Sequence, residues 1–140
     1  MPLINVYRVG HPATKTGPWN SWVSEAFQGL DEDTQEKMRK TRRAMSAITN
    51  TYMTDRSHPN VIIDFMKWSS ALVCAAYSIE QLREWFSPEV IEVLFDGDYT
   101  LMKYTLKEDD VHFGTSGKQC AFNPEHVCES EDLSLLPLVA

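Results

Sequence analysis

The sequence is poor in cysteine and glycine and has no long apolar run, and each shortage removes a class of protein. Its cysteines are Cys74, Cys120 and Cys128, an odd set with no CxxC spacing, so no disulfide framework is expected. Cys74 stands in the apolar run Ala71-Leu72-Val73-Cys74-Ala75-Ala76, the setting of a buried, inert thiol. His112, Cys120, His126 and Cys128 lie near one another, but only His126-x-Cys128 is a close pair. Structural zinc sites present paired ligands from a knuckle or a helix turn, so no metal is expected. The few glycines build no phosphate cradle, and Gly114-Thr115-Ser116-Gly117 reads as a turn. A P-loop, a dinucleotide fingerprint, a nucleophile elbow and an HExxH helix are all missing. No apolar run approaches the ~20 residues of a membrane span. Met1-Pro2-Leu3-Ile4-Asn5 lacks the basic start and apolar stretch of a secretory signal, which points to the cytoplasm.

Positive charge is scarce in one part of the chain only. Residues 1–85 carry a net +1 and residues 86–140 a net −8, together the −7 of the whole. A polyanion is repelled by such a surface, so nucleic acid is not expected to bind through the C-terminal region. Such an acidic face keeps a protein soluble; as a binding surface it suits a basic partner. The opposite sign clusters at Lys37, Arg39, Lys40, Arg42 and Arg43. There Glu32, Asp33 and Glu36 offer ion partners, and the cluster reads as the solvated back of an amphipathic helix.

What is present is ordinary globular material: 140 residues, 43% hydrophobic and 24% charged, enough for one domain with a real core. Leu3 to Val9 reads as a strand. Asn20 or Ser21 can cap a short helix through Phe27, ended by Gly29. A long helix begins at Asp31, with Met38, Thr41, Met45, Ile48 and Tyr52 on its buried stripe. Ser70 to Tyr77 reads as a central strand, and Ser78-Ile79-Glu80-Gln81 as a capping box opening a helix that buries Leu82, Trp85 and Phe86. Ser87-Pro88-Glu89 starts another helix, with Val90, Ile91, Leu94 and Phe95 on its apolar face. Asp96-Gly97-Asp98 turns the chain into a strand over Tyr99 to Leu106. Shorter strands follow at Val111-His112-Phe113 and at Lys118 to Phe122. The acidic residues 125–132 and the apolar end 133–139 read as an extension.

Arg8 and His11 stand out as candidate ligand residues. An arginine on an apolar strand requires a carboxylate, a carbonyl or a ligand, and Asp64 or Glu84 are its candidate internal partners. His11, before Pro12, suits either a loop-fixing hydrogen bond or acid–base work. Trp19, in a Gly-Pro loop, suits a stacking platform.

Val6-Tyr7-Arg8-Val9-Gly10-His11-Pro12 with Gly17-Pro18-Trp19, and Ser78-Ile79-Glu80-Gln81-Leu82 with Trp85-Phe86 and Gly117-Lys118-Gln119-Cys120-Ala121-Phe122, resemble small uncharacterised bacteriophage and prophage proteins. These have a YRVxHP start, a Gly-Pro-aromatic loop, a helix ending in Trp-Phe and a final GxQ strand. A fainter resemblance is to the ADP-ribosyltransferase fold, which implies matching positions at Arg8, Ser78 and Gln119 and NAD as the cofactor. Gln119 stands where that fold carries its catalytic Glu, and a neutral amide stabilises a developing oxocarbenium ion poorly.

The resulting expectation is a single α+β domain over residues 1–124, with a mixed or mostly antiparallel sheet of about four to five strands and three to four helices, and an extension over residues 125–140. Its expected role is that of a phage-type accessory protein. It would act in the host cytoplasm by binding a host protein, a basic nucleic-acid-handling or defence protein, with no cofactor. Arg8, His11, Trp19, Ser78, Gln119, Asp109 and Asp110 are the candidate contact residues.

Overall fold

A computed structural model describes residues 2–14, 25–49, 72–114, 117 and 119–139. Strand β1 (Leu3–Gly10) pairs antiparallel with β3 (Thr100–Lys107), setting Val6 opposite Tyr104 and Arg8 opposite Met102. The far side of β3 takes β6 (Glu129–Asp132), also antiparallel. A second antiparallel sheet has the order β2 (Val73–Ala75), β5 (Cys120–Phe122), β4 (Val111–Phe113). Tyr7 and Ala76 exchange backbone hydrogen bonds of 2.9 and 2.8 Å, which join the two sheets in the order β6-β3-β1-β2-β5-β4. The chain is therefore an α+β domain whose described strands are all antiparallel.

Strand alternation divides the apolar side chains between two cores. Val6 of β1, Met102, Tyr104 and Leu106 of β3 meet Ala75, Cys120 and Phe122 of the second sheet. The rings of Tyr104 and Phe122 lie 5.3 Å apart across this junction. Val9 and Leu101, on the opposite face, lie under the helices with Met45, Leu82, Trp85 and Leu94.

Helix α1 (Glu25–Gln28) is a single turn, and Gln35 Nε2 donates to the Phe27 carbonyl at 2.8 Å, satisfying a group the helix end leaves open. Helix α2 (Glu32–Thr49) buries Met38, Thr41 and Met45, while Ile48, expected on the same stripe, is exposed near the helix end. Its basic back pairs locally: Arg39 meets Glu32 and Glu36 at 2.7 and 3.2 Å, and Arg43 meets Glu36 at 2.8 Å. These pairs are exposed, so they solvate the helix more than they stabilise it.

Helix α3 (Ile79–Trp85) begins as its capping residues predict. Ser78 Oγ accepts from the Gln81 N–H at 3.1 Å. The Gln81 side chain does not return to the Ser78 N–H but accepts from the Tyr77 N–H, one residue earlier, at 2.8 Å. Ser78→Ala is expected to cost about 0.5–2 kcal/mol in chemical denaturation, the usual loss for a hydroxyl N-cap. A variant as stable as the parent would show the cap to be dispensable. Helix α4 (Pro88–Asp96) follows, with Ser87 Oγ accepting from the Val90 N–H at 3.3 Å and Pro88 in the first turn.

The C-terminal residues correct the expected extension. β6 is a strand of the first sheet, and Leu135 and Leu138, the latter in helix α5 (Leu136–Val139), are buried in the helix-covered core. Ser134, at φ 59°, turns the chain from β6 into α5. Glu129-Ser130-Glu131-Asp132 carries no β-branched or aromatic residue, because an edge strand with no buried side chain needs only the ladder it borrows from β3. Two other expected strands are shorter: Ser70–Tyr77 narrows to Val73–Ala75 among its described residues, and Lys118–Phe122 to Cys120–Phe122. The start of the predicted first helix and Tyr52 lie outside the described residues.

Candidate functional site

Arg8 projects from β1 on the face it shares with Val6 and is only 8% exposed. Its Nη1 donates to the Cys74 carbonyl at 2.6 Å, while Nε is buried with no hydrogen-bond acceptor among the described residues. Of the two carboxylate candidates, Glu84 is exposed on α3 and Asp64 lies outside the described residues. Burial pushes the nearby Tyr104 hydroxyl above its usual range, and the Arg8 charge opposes part of that rise.

The other candidates of the ADP-ribosyltransferase pattern, Gln119 before β5 and Ser78 at the start of α3, are placed apart from the Arg8 side chain. Gln119 immediately precedes β5 and is fully buried. Cys120 and Phe122 face the core that holds Val6, so alternation turns Gln119 and Ala121 to the opposite face from Arg8. The Ser78 hydroxyl is held by its helix cap. His11 is buried edge-on to Tyr99, at 5.2 Å, and its Nδ1 accepts from the Ala13 N–H at 3.1 Å. Burial lowers the imidazole pKa, Asp98 works against that and Lys37 adds to it, so the ring is neutral at pH 7. Trp19 lies outside the described residues.

The zinc candidates are spread over the surface and the core. Cys120 is buried, its thiol pushed up to about 12 by burial, while His112, His126 and Cys128 are exposed. Cys74, expected to be buried, is only partly so. Among the described residues no three potential metal ligands come together.

The acidic residues gather at two turns and on one edge strand. A 3-10 turn over Glu108–Asp110 links β3 to β4, and a second over Pro124–His126 leads towards β6. The two turns touch where His126 Nδ1 approaches Asp110 Oδ1 at 3.8 Å. From there β6 follows at the edge of the described sheet, with Glu129 and Glu131 on one face and Asp132 on the other, where its carboxylate accepts from the Thr100 hydroxyl and the Ser134 N–H. Lys103 offsets this charge at its inner border, 3.8 Å from Glu131, beside a shallow hollow that also touches Thr105, Glu129 and Ser130. Asp109 and Asp110 thus belong with β6, a connection that only the β3–β6 pairing makes visible.

Next to the acidic turn is a feature that residue patterns alone do not single out. Phe113, at the end of β4, is 54% exposed and stacks on Tyr77 with ring centroids 5.9 Å apart and planes 8° from parallel. Tyr77 is fixed from below by its hydroxyl, which donates to the Gln119 carbonyl at 2.8 Å. An aromatic three residues after an acidic turn was the available signal.

The model of the bacteriophage T4 Y00F protein family matches residues 1–136. Neither a curated protein nor a solved structure matches the chain. Because the family model spans nearly the whole sequence, the chain belongs to this phage family.

Proposed function

We propose that this phage-family protein is an accessory factor that acts by binding, and that its acidic C-terminal surface receives a basic host protein engaged in nucleic-acid handling or defence. One observation carries the reading: the acidic 108–110 turn meets the 124–126 turn, and the exposed Glu129 and Glu131 follow on the edge strand of the same sheet. Such a surface attracts a basic partner over several ångströms and speeds encounter, with an effect that salt screens. No helix among the described residues is long and apolar enough to cross a membrane, which agrees with a partner met in solution.

The test is capture of host proteins by the wild type and by Asp109→Lys/Asp110→Lys, followed by binding kinetics on whatever basic protein is recovered. The association rate is expected to fall about tenfold or more from low to high salt, and the double reversal should lower it at low salt by a similar factor. Thermal stability should hold, since the reversal relieves repulsion at the exposed turn. An association rate indifferent both to salt and to the reversal would reduce the acidic surface to a solubility role.

A further inference from the structure

Charge attracts a partner but seldom holds one, because specific interfaces draw most of their affinity from a few aromatic or arginine anchors. Next to the acidic turn the fold provides one exposed aromatic ring with one face already occupied. Tyr77 covers the inner face of Phe113 in a near-parallel stack, and the Tyr77 hydroxyl is tied to the Gln119 backbone. The outer face of Phe113 is left for a ligand, and the ring stands in a fixed orientation.

The backbone around Phe113 adds to this. The Gly114 N–H donates to the Gln119 carbonyl at 3.0 Å, which sets the phase of the β4–β5 ladder. In that phase the N–H and C=O of Phe113 point away from β5, and they meet no hydrogen-bond partner among the described residues. Among the described residues β4 is the outer strand of its sheet, so an extended segment can pair along it. A residue of that segment opposite Phe113 lies about 5 Å away on the same face. A further residue about three positions along lies opposite Asp110, at about 10 Å by strand geometry.

We propose that β4 accepts an extended, basic segment of the partner, with an arginine stacked on the outer face of Phe113 and a second basic residue three positions away against Asp109 and Asp110. Arginine fits this place better than lysine. Its planar guanidinium lies flat on a ring and still offers its N–H groups to carboxylates, whereas an ammonium is a more strongly hydrated point charge. The inference rests on the binding role proposed above and specifies what that surface recognises.

The experiment compares two strand-forming nine-residue peptides on a Thr/Val background, one with two arginines three positions apart and the other with lysines at the same positions. Wild-type protein at low salt should bind the arginine peptide about fivefold more tightly, the difference a surface cation–π contact supports. Phe113→Leu, which keeps an apolar side chain at a half-exposed position, should bring that ratio to about one, and Phe113→Tyr should preserve it. Asp109→Asn/Asp110→Asn should weaken both peptides together. Equal affinity of the wild type for the two peptides, or a preference that survives Phe113→Leu, overturns the arginine anchor and leaves the basic-partner reading standing. Failure of both peptides to bind at low salt overturns the anchor and counts against that reading as well.

Discussion

Replacing Leu135 by alanine is expected to destabilise the protein by about 2–5 kcal/mol, the range for removing a fully buried leucine side chain. Leu135 is 1% exposed and belongs to the same core as Leu82, Trp85, Val90 and Leu94. The α5 turn that follows cannot supply stability by itself, because four residues are far too few for an isolated helix. Its attachment therefore depends on Leu135 and Leu138, helped by Arg83, whose Nε and Nη2 both donate to the Pro137 carbonyl at 3.0 and 2.5 Å. Leu136→Ala is the matched control: Leu136 is 64% exposed, and its loss should change stability by under about 0.5 kcal/mol. Chemical denaturation of the three proteins checks this. If Leu135→Ala and Leu136→Ala unfold together near the wild-type midpoint, the C-terminal residues are an appendage after all.

The C-terminus shows where sequence pattern stops being informative. β1 was legible from its β-branched and aromatic residues, and β3 from the alternation of Met102, Tyr104 and Leu106 with Lys103, Thr105 and Lys107; the burial of both faces where Val9 and Leu101 pass under the helices gave no such pattern. The Ser78 and Ser87 caps were legible because the N-terminal groups of a helix need a side-chain acceptor nearby in the chain. β6 left no such mark. Its four side chains are all exposed, and its place follows from a backbone ladder to a strand about thirty residues earlier. The acidic surface was half legible: the charges could be counted, but their continuity from Asp110 to Glu129 depends on two turns meeting in space. For Arg8 the need for a partner was readable and its identity was not, since a backbone carbonyl carries no sequence signature.

Gly97 presents the same lesson in a form that a mutation can test. Asp96-Gly97-Asp98 suggests a turn in which glycine supplies the left-handed residue, yet Gly97 sits at φ −89° and it is Asp98 that adopts φ 66°. The glycine is needed for space. A Cβ at Gly97 would overlap Oγ1, Cγ2 and Cβ of Thr41 on α2. Thr41 cannot move aside easily: it is buried, and its Oγ1 donates to the Lys37 carbonyl at 2.9 Å. The same approach of α4 to α2 is spanned by Lys37 and Asp98, 2.6 Å apart. Gly97→Ala should therefore force the two helices apart and cost about 1–3 kcal/mol, as overpacking does; Gly97→Val should cost more. Thr41→Ala opens the space that the new methyl needs. The double variant Thr41→Ala/Gly97→Ala is accordingly expected to be more stable than Gly97→Ala alone, a coupling that contacting sites show and independent ones do not. Strictly additive losses in denaturation, or a Gly97→Ala protein as stable as the wild type, would mean that α2 and α4 separate freely at this point and that the glycine marks nothing more than the end of a helix.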